Sequence, residues 1–322
     1  METLEVAGVG DGITITVNVQ GDKHAPLILC VHGWPELSYS WRHQMSYFAQ
    51  RGYRVAAMDV RGYGSSSKPD AVEAYTLKTI AGDVAAVARA LSEEPTVLFG
   101  HDWGALIVYN TALLYPDTIR AVAGMSVPFT PWSEVSLIEL YSAVYDGRFF
   151  YIKYFQQANA PEREAEQDVG ATLRKIYYAL SGDSPREAWL VHKPETAGLL
   201  DGMVDPDPFP DWMSATDLAV YVQAFEHGGF RGPFNRYRAV ALDHTDFTDF
   251  QGVKLAQPSC FIAGETDAIR DYVPGHDGFA DAGAGCADFR GTTLIPKVGH
   301  WVQQEAPGKT NQALEAFLNG LS

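Results

Sequence analysis

The chain has 322 residues, long enough to bury a sizeable core as one large domain or as a domain carrying an insertion. Its composition, 46% hydrophobic and 20% charged with 30 glycines and 18 prolines, is that of a folded globular protein and excludes low-complexity or disordered character. With 40 acidic against 24 basic residues the net charge is -16, which repels nucleic acid and anionic membrane surfaces and points to neutral or cationic small molecules as partners.

The N-terminal "METLEVAGVGDGITITVNV" lacks the basic segment and apolar core of a secretion signal. No run reaches the roughly 18 apolar residues of a membrane span, so the expected location is the cytoplasm, with no membrane insertion. Cys30 in "LILCV" and Cys260 in "SCFIAG" lie in apolar runs and Cys286 stands apart from both, so none has metal-site spacing and no cysteine is given a role.

In chain order, "GITITVNV" (12–19) alternates as a half-exposed strand does. "PLILCVHG" (26–33), "YRVAAMDV" (53–60), "TVLFG" (96–100) and "AVAGMSV" (121–127) are short branched apolar runs ended by turn residues, the pattern of strands covered on both faces. Helical patterns lie between them: "SYSWRHQMSYFAQRG" (38–52), "TLKTIAGDVAAVARALSEE" (76–94) and "ALIVYNTALLYP" (105–116). This rhythm predicts a mostly parallel sheet with helices on both sides.

From Phe129 to about Phe250 no strand run occurs. The text there is helical and aromatic; "DLAVYVQAFEHGG" puts Leu218, Val222 and Phe225 on one face, and "DPDPFPDW" (205–212) is a proline-rich link. Strand signals resume with "SCFIAG" (259–264) and "TTLIP" (292–296), before a closing helix in "PGKTNQALEAFLNGL" (307–321). The expected organisation is a core domain of residues 1–128 and 250–322 interrupted by a helical cap domain of residues 129–249.

In "TVLFGHDWGALIVYN" (96–110) a carboxylate, Asp102, sits between a buried strand and a helix, flanked by Gly100, Gly104 and Ala105. Strand, tight turn and helix make the nucleophile elbow of hydrolases, where a serine usually stands. No G-x-S-x-G occurs in the chain. A serine that displaces a group from saturated carbon is left as an ether that water does not readily cleave, whereas a carboxylate is left as an ester whose acyl carbon water attacks. Asp102 therefore points to substitution at an alkyl carbon followed by ester hydrolysis; it is also suited to cap the helix that follows.

Ester hydrolysis needs a general base, and His300 in "KVGHW" follows the last strand, after the nucleophile in chain order. His32 and His101 are expected to hold the turns by hydrogen bonds. The elbow assigns one oxyanion donor to the backbone amide of Trp103 and another to the loop after "PLILCVHG". An acid that orients the histidine is expected after "SCFIAG", where Glu265, Asp267 and Asp271 all stand.

Taken together, "HGWPE" (32–36), "DVRGYGSSSKP" (59–69), "GHDWGA" (100–105), "SVP" (126–128), "FFYIKYFQ" (149–156), "GFRGPFNRYR" (229–238) and "GHWVQQE" (299–305) resemble the soluble epoxide hydrolases of the α/β hydrolase superfamily along essentially the whole chain. The resemblance implies an α/β fold with a mostly parallel eight-stranded sheet and a helical cap. It implies Asp267 as the orienting acid, Trp34 as the second oxyanion amide, and Tyr151 and Tyr237 as cap phenols that hold the epoxide oxygen, with Tyr154 as the alternative to Tyr151. The implied substrates are an apolar epoxide and water, with no metal or cofactor; a homodimer is left open. The chain departs from the family at "NRYRAVALDHTDF" (235–247), in the expected pocket wall. Two other readings are a haloalkane dehalogenase, which would want a second halide donor where Trp34 stands, and a ligand-binding hydrolase fold without turnover, which would lack a catalytic member.

Overall fold

The computed structural model describes residues 1–189 and 192–321. Eight strands, β1 (Glu2–Ala7), β2 (Thr14–Gln20), β3 (Leu27–Val31), β4 (Arg54–Met58), β5 (Thr96–His101), β6 (Ile119–Met125), β7 (Ser259–Gly264) and β8 (Phe289–Ile295), form one sheet in the order β1-β2-β4-β3-β5-β6-β7-β8. β1 pairs antiparallel with β2, and β2 with β4; the other neighbours are parallel. Around it lie α1 (Arg42–Ala49), α2 (Leu77–Leu91), α3 (Trp103–Leu114), α4 (Leu137–Val144), α5 (Tyr151–Tyr154), α6 (Ala160–Ala165), α7 (Val169–Ala179), α8 (Ala215–Gly228), α9 (Arg231–Arg238), α10 (Val240–Asp246), α11 (Val302–Glu305) and α12 (Pro307–Asn319).

The strand period of two sorts each apolar run between two layers. Ile28, Cys30, Val55, Ala57, Val97 and Phe99 join Met45 and Phe48 of α1 and Leu314 and Phe317 of α12 on one side of the sheet. Leu29, Val31, Ala56, Met58 and Leu98 join α2 and α3 on the other. The Thr76 side chain starts α2 by accepting from Thr79 N.

Two strands differ from the sequence reading. β1 is an edge strand in which Leu4 and Val6 alone turn inward, and it completes the eighth position of the sheet. β2, read as half exposed, is mostly buried: Ile15, Val17 and Val19 enter the core, and Thr16 on the opposite face lies under the loop whose Ser66 Oγ accepts from Thr16 N. A polar side chain in an alternating run was covered by chain from elsewhere, which the pattern does not record.

Every helix and turn of helix between β6 and β7 belongs to the series α4 to α10 or to short 3₁₀ segments. Ser136 and Ser214 start α4 and α8 with reciprocal capping boxes. On α8 the buried residues are Tyr221 and Phe225, with Leu218 and Val222 at the margin of that face. The helical insertion lies over the C-terminal ends of the strands: Tyr177 Oη donates to Pro35 O at 2.7 Å, His300 N to Leu180 O at 2.8 Å, and Tyr221 Oη to Gln304 Oε1 at 3.0 Å. Loops after β3, β5, β6, β7 and β8 therefore converge beneath it, where α/β sheets place their ligands. No helix among the described residues is long and apolar enough to cross a membrane.

Candidate active site

β5 ends at His101 and α3 begins at Trp103, so Asp102 alone makes the turn, with φ 53° and ψ -121°. Such a conformation is costly for a residue with a Cβ and persists only when its surroundings impose it. Asp102 N donates to Met125 O at 3.1 Å, extending the β5–β6 ladder into the turn. A Cβ at Gly104 would stand 2.0 Å from Val31 O, so only glycine lets α3 lie this close to β3. A Cβ at Gly33 would stand 2.4 Å from Asp102 Oδ1, so the same holds on the side of the carboxylate. The Asp102 side chain makes no cap bond to α3; its Oδ1 accepts from Trp34 N at 2.8 Å.

His300 is 2% exposed and turns both ring nitrogens toward carboxylates. Nδ1 lies 3.0 Å from Asp267 Oδ2, and Nε2 lies 3.5 Å from Asp102 Oδ2. Asp267 is wholly buried, and its Oδ1 accepts from Ile269 N at 3.0 Å, which fixes the acid at the start of its own 3₁₀ turn. Burial disfavours a charged His300, but Asp267 and Asp102 outweigh it and hold the ring at about 10. The other two acids of this loop point away: Glu265 is exposed, and Asp271, also exposed, pairs with Arg186 at 2.5 Å.

A second ring of polar groups fixes the His300 backbone. Its carbonyl accepts from Ser126 Oγ at 2.7 Å and faces His101 Nε2 at 2.7 Å, while His101 Nδ1 lies 2.6 Å from Glu36 Oε2. Glu36 is fully buried and also accepts from Gly33 N, Gln303 Nε2 and Gln304 Nε2. Burial pushes the Glu36 carboxyl up, and the His101 ring, with His32 and the Gly33 amide, overrides it and brings it down to about 2. His32 Nε2 accepts from Val60 N at 3.0 Å, so its Nδ1 is the protonated nitrogen, donating to Gly33 O at 2.8 Å. His32 and His101 thus tie turns together as the sequence suggested. Glu36 and Ser126 were not singled out by it, although both lie inside the motifs "HGWPE" and "SVP".

Above the carboxylate, Tyr151 on α5 and Tyr237 on α9 face each other with ring centroids 5.8 Å apart. Tyr237 meets Trp103 and Trp34 edge-on at 5.1 and 5.9 Å. Burial and the charge of Asp102 push the Tyr151 phenol well above its usual range, and burial, Tyr151 and Asp102 do the same to Tyr237. Both therefore stay protonated and are available as donors. Tyr154 turns instead toward Glu164, and burial, with that carboxylate behind it, raises its phenol. The Trp34 indole packs on Phe155 at 5.2 Å, with Nε1 buried and without a hydrogen-bond partner among the described residues. A cavity of about 130 Å³ beside Tyr151 has a mixed lining, with Phe150, Trp189 and Leu199 together with Arg148, His192 and Asp271.

A carboxylate at an elbow, a histidine opposite it and an amide on its oxygen, all at the ends of parallel strands, define an α/β hydrolase; residues 26–307 match the family described as alpha/beta hydrolase fold, and the chain belongs to it. It is 36% identical to epoxide hydrolase A of Mycobacterium tuberculosis over 312 residues, covering 97% of this chain and 96% of that one. The crystal structure of epoxide hydrolase A from Mycobacterium thermoresistibile superposes with a TM-score of 0.92 at 36% identity, covering 100% and 99% of the two chains. An epoxide hydrolase from an endophytic Streptomyces gives a TM-score of 0.92 at 38% identity over 99% of this chain and 96% of that one. Within the superfamily, the chain is a member of the epoxide hydrolase family.

Proposed function

We propose that the protein converts an apolar epoxide and water into a vicinal diol by way of an ester on Asp102. The site lies between a core of residues 1–128 and 250–322 and a cap of residues 129–249. The observation that carries this reading is one carboxylate with Oδ1 on the Trp34 amide, Oδ2 facing His300, and two protonated phenols above it.

In the first step Asp102 Oδ2 attacks a ring carbon, the C–O bond breaks, and its electron pair passes to the ring oxygen. Tyr151 and Tyr237 hold the developing charge by hydrogen bonds, and one of them supplies the proton. Esterification removes the Asp102 charge, one of the two influences that keep His300 protonated. The ring therefore loses its proton more readily once the ester exists; that proton passes to the phenolate left by ring opening, which restores the phenol and frees His300 Nε2 to act as a base. In the second step His300 Nε2 takes a proton from water, the hydroxide attacks the Asp102 acyl carbon, and the Trp34 and Trp103 amides hold the oxyanion. Asp267 stabilises the imidazolium. As the acyl C–O bond breaks, the departing alkoxide takes the imidazolium proton to complete the diol, and the Asp102 carboxylic acid left behind gives its own proton to His300, which restores carboxylate and imidazolium. Neither step calls for a metal or a redox cofactor.

The proposed compartment is the cytoplasm, which the free thiols Cys30, Cys260 and Cys286 support. A homodimer is compatible with this reading, and sedimentation velocity distinguishes it from a monomer. The chemistry is tested by incubating His300→Gln with an aryl or alkyl epoxide and weighing the intact protein. The expected result is an added mass of one epoxide on the peptide that contains residue 102; bound substrate with an unmodified mass would overturn the scheme.

A further inference from the structure

The two-step scheme leaves one phenol at the site without a task. The 3₁₀ turn Ala268–Asp271 starts on Asp267 and closes on Tyr272, which is 6% exposed. Its backbone carbonyl accepts from Tyr145 Oη at 2.8 Å, and its ring stands 6.0 Å from that of Tyr151. Trp189 Nε1 donates to Tyr272 Oη at 2.9 Å, and Tyr272 Oη donates to Tyr151 Oη at 3.4 Å.

The direction of this chain follows from its end. An indole N–H donates and never accepts, so the Trp189 hydrogen occupies one lone pair of Tyr272 Oη and biases the Tyr272 hydrogen toward Tyr151, the direction the geometry gives. Tyr151, as acceptor, keeps its hydrogen free to point elsewhere. Two phenols in contact with no third partner could settle either way round, and in one arrangement the Tyr151 hydrogen is spent on Tyr272. Donation from Tyr272 also favours negative charge on the Tyr151 oxygen, against the burial and Asp102 charge that oppose it. At 3.4 Å the bond is long, as catalytic hydrogen bonds often are before substrate closes the site.

We propose that Tyr272 is a positioning residue for ring opening: oriented by the Trp189 indole, its hydroxyl gives a hydrogen bond to Tyr151 and so turns the Tyr151 hydroxyl toward the epoxide oxygen. This rests on the reading of Tyr151 as a donor to that oxygen. The loop after β7 then serves both half-reactions, aligning the base through Asp267 and the acid through Tyr272.

The test is a double-mutant cycle read by rapid quench, with ester formation and ester hydrolysis timed separately in wild type, Tyr272→Phe, Tyr151→Phe and the double variant. Tyr272→Phe is expected to slow ester formation by about 3- to 10-fold, the worth of one neutral hydrogen bond, and to leave hydrolysis unchanged. In the Tyr151→Phe background it is expected to add nothing. A wild-type rate of ester formation in Tyr272→Phe, an equal slowing of hydrolysis, or an additive loss in the double variant would overturn the proposal. Should Tyr272→Phe fail to fold, Trp189→Phe removes the donor that sets the direction, and no effect of it on ester formation would overturn the proposal equally. If Tyr151→Phe itself forms the ester at the wild-type rate, the reading of Tyr151 fails; if Tyr151→Phe is slow and Tyr272→Phe is not, only the role of Tyr272 fails.

Discussion

On the sheet side of the site Asp102, His300 and Asp267 stand on strand-end loops and are held by hydrogen bonds from backbone amides and from one another. On the helical side Tyr151 and Tyr237 ride on α5 and α9 and are held chiefly by aromatic neighbours, Phe155 at 5.6 and 4.8 Å among them. Charged groups buried together need fixed dipoles, because each lost partner leaves an uncompensated charge. Neutral phenol rings can be placed largely by shape, with hydrogen bonds left to aim the hydroxyls. The two sides therefore respond differently to the same kind of substitution: the phenols act in ring opening, His300 and Asp267 in ester hydrolysis, and Asp102 in both.

The sharpest way to break this division is to remove each ionic member in turn. Asp102→Ala is expected to abolish ester formation altogether, seen as no added mass and no diol. His300→Ala is expected to form the ester at near the wild-type rate and to lose hydrolysis by on the order of 10³ to 10⁴, so that mass spectrometry finds the adduct at steady state. Ester formation that slows in step with hydrolysis would merge the two halves. Smaller losses should follow on the helical side: Tyr151→Phe and Tyr237→Phe are each expected to slow ester formation by roughly 10- to 100-fold in quench-flow, with ester hydrolysis and thermal stability little changed.

A third expectation concerns pH. Because Asp267 and Asp102 hold His300 at about 10 against burial, above its unfolded value of 6.5, the stability it contributes is fully present below 6.5 and lost as pH rises through about 10. Urea titrations should show this as a slope of up to about 1.4 kcal/mol per pH unit on the alkaline side, absent in His300→Ala. The hydrolysis step, timed from the preformed ester, should titrate at a lower pH than this, since Asp102 is then uncharged. The smallest effect is expected at Glu36. Its carboxyl, brought down to about 2, gives stability that is present above 4.5 and lost as pH falls toward about 2. Glu36→Gln should flatten that acid limb and slow ester hydrolysis only a few-fold, because the Ser126 hydroxyl still holds the His300 carbonyl.

The central strands were legible because burial on both faces makes them continuous apolar runs. β1 was not, because its alternation at an exposed edge has only two inward positions, Leu4 and Val6, too short a run to stand out. Asp102 and His300 were legible for a local reason: the elbow and the loop after the last strand carry their own turn chemistry. Choosing Asp267 from three acids in one loop required the family resemblance, and the structure separates them by burial, which no local pattern encodes. Ser126 and Glu36 stayed hidden because their partners lie 174 and 65 residues away along the chain. Tyr272 did so too, with Tyr151 121 residues distant. Such meetings are products of topology.

Asp102 has its positive φ where α3 is pressed against β3 through Gly104. A slight parting of helix and strand is expected to let the turn relax to ordinary angles and to lift the carboxylate from the Trp34 amide before the rest of the sheet opens. Heat inactivation should accordingly run ahead of the loss of helical ellipticity. Changes that tighten this one contact would lengthen the working life of the catalyst before they raise its melting point.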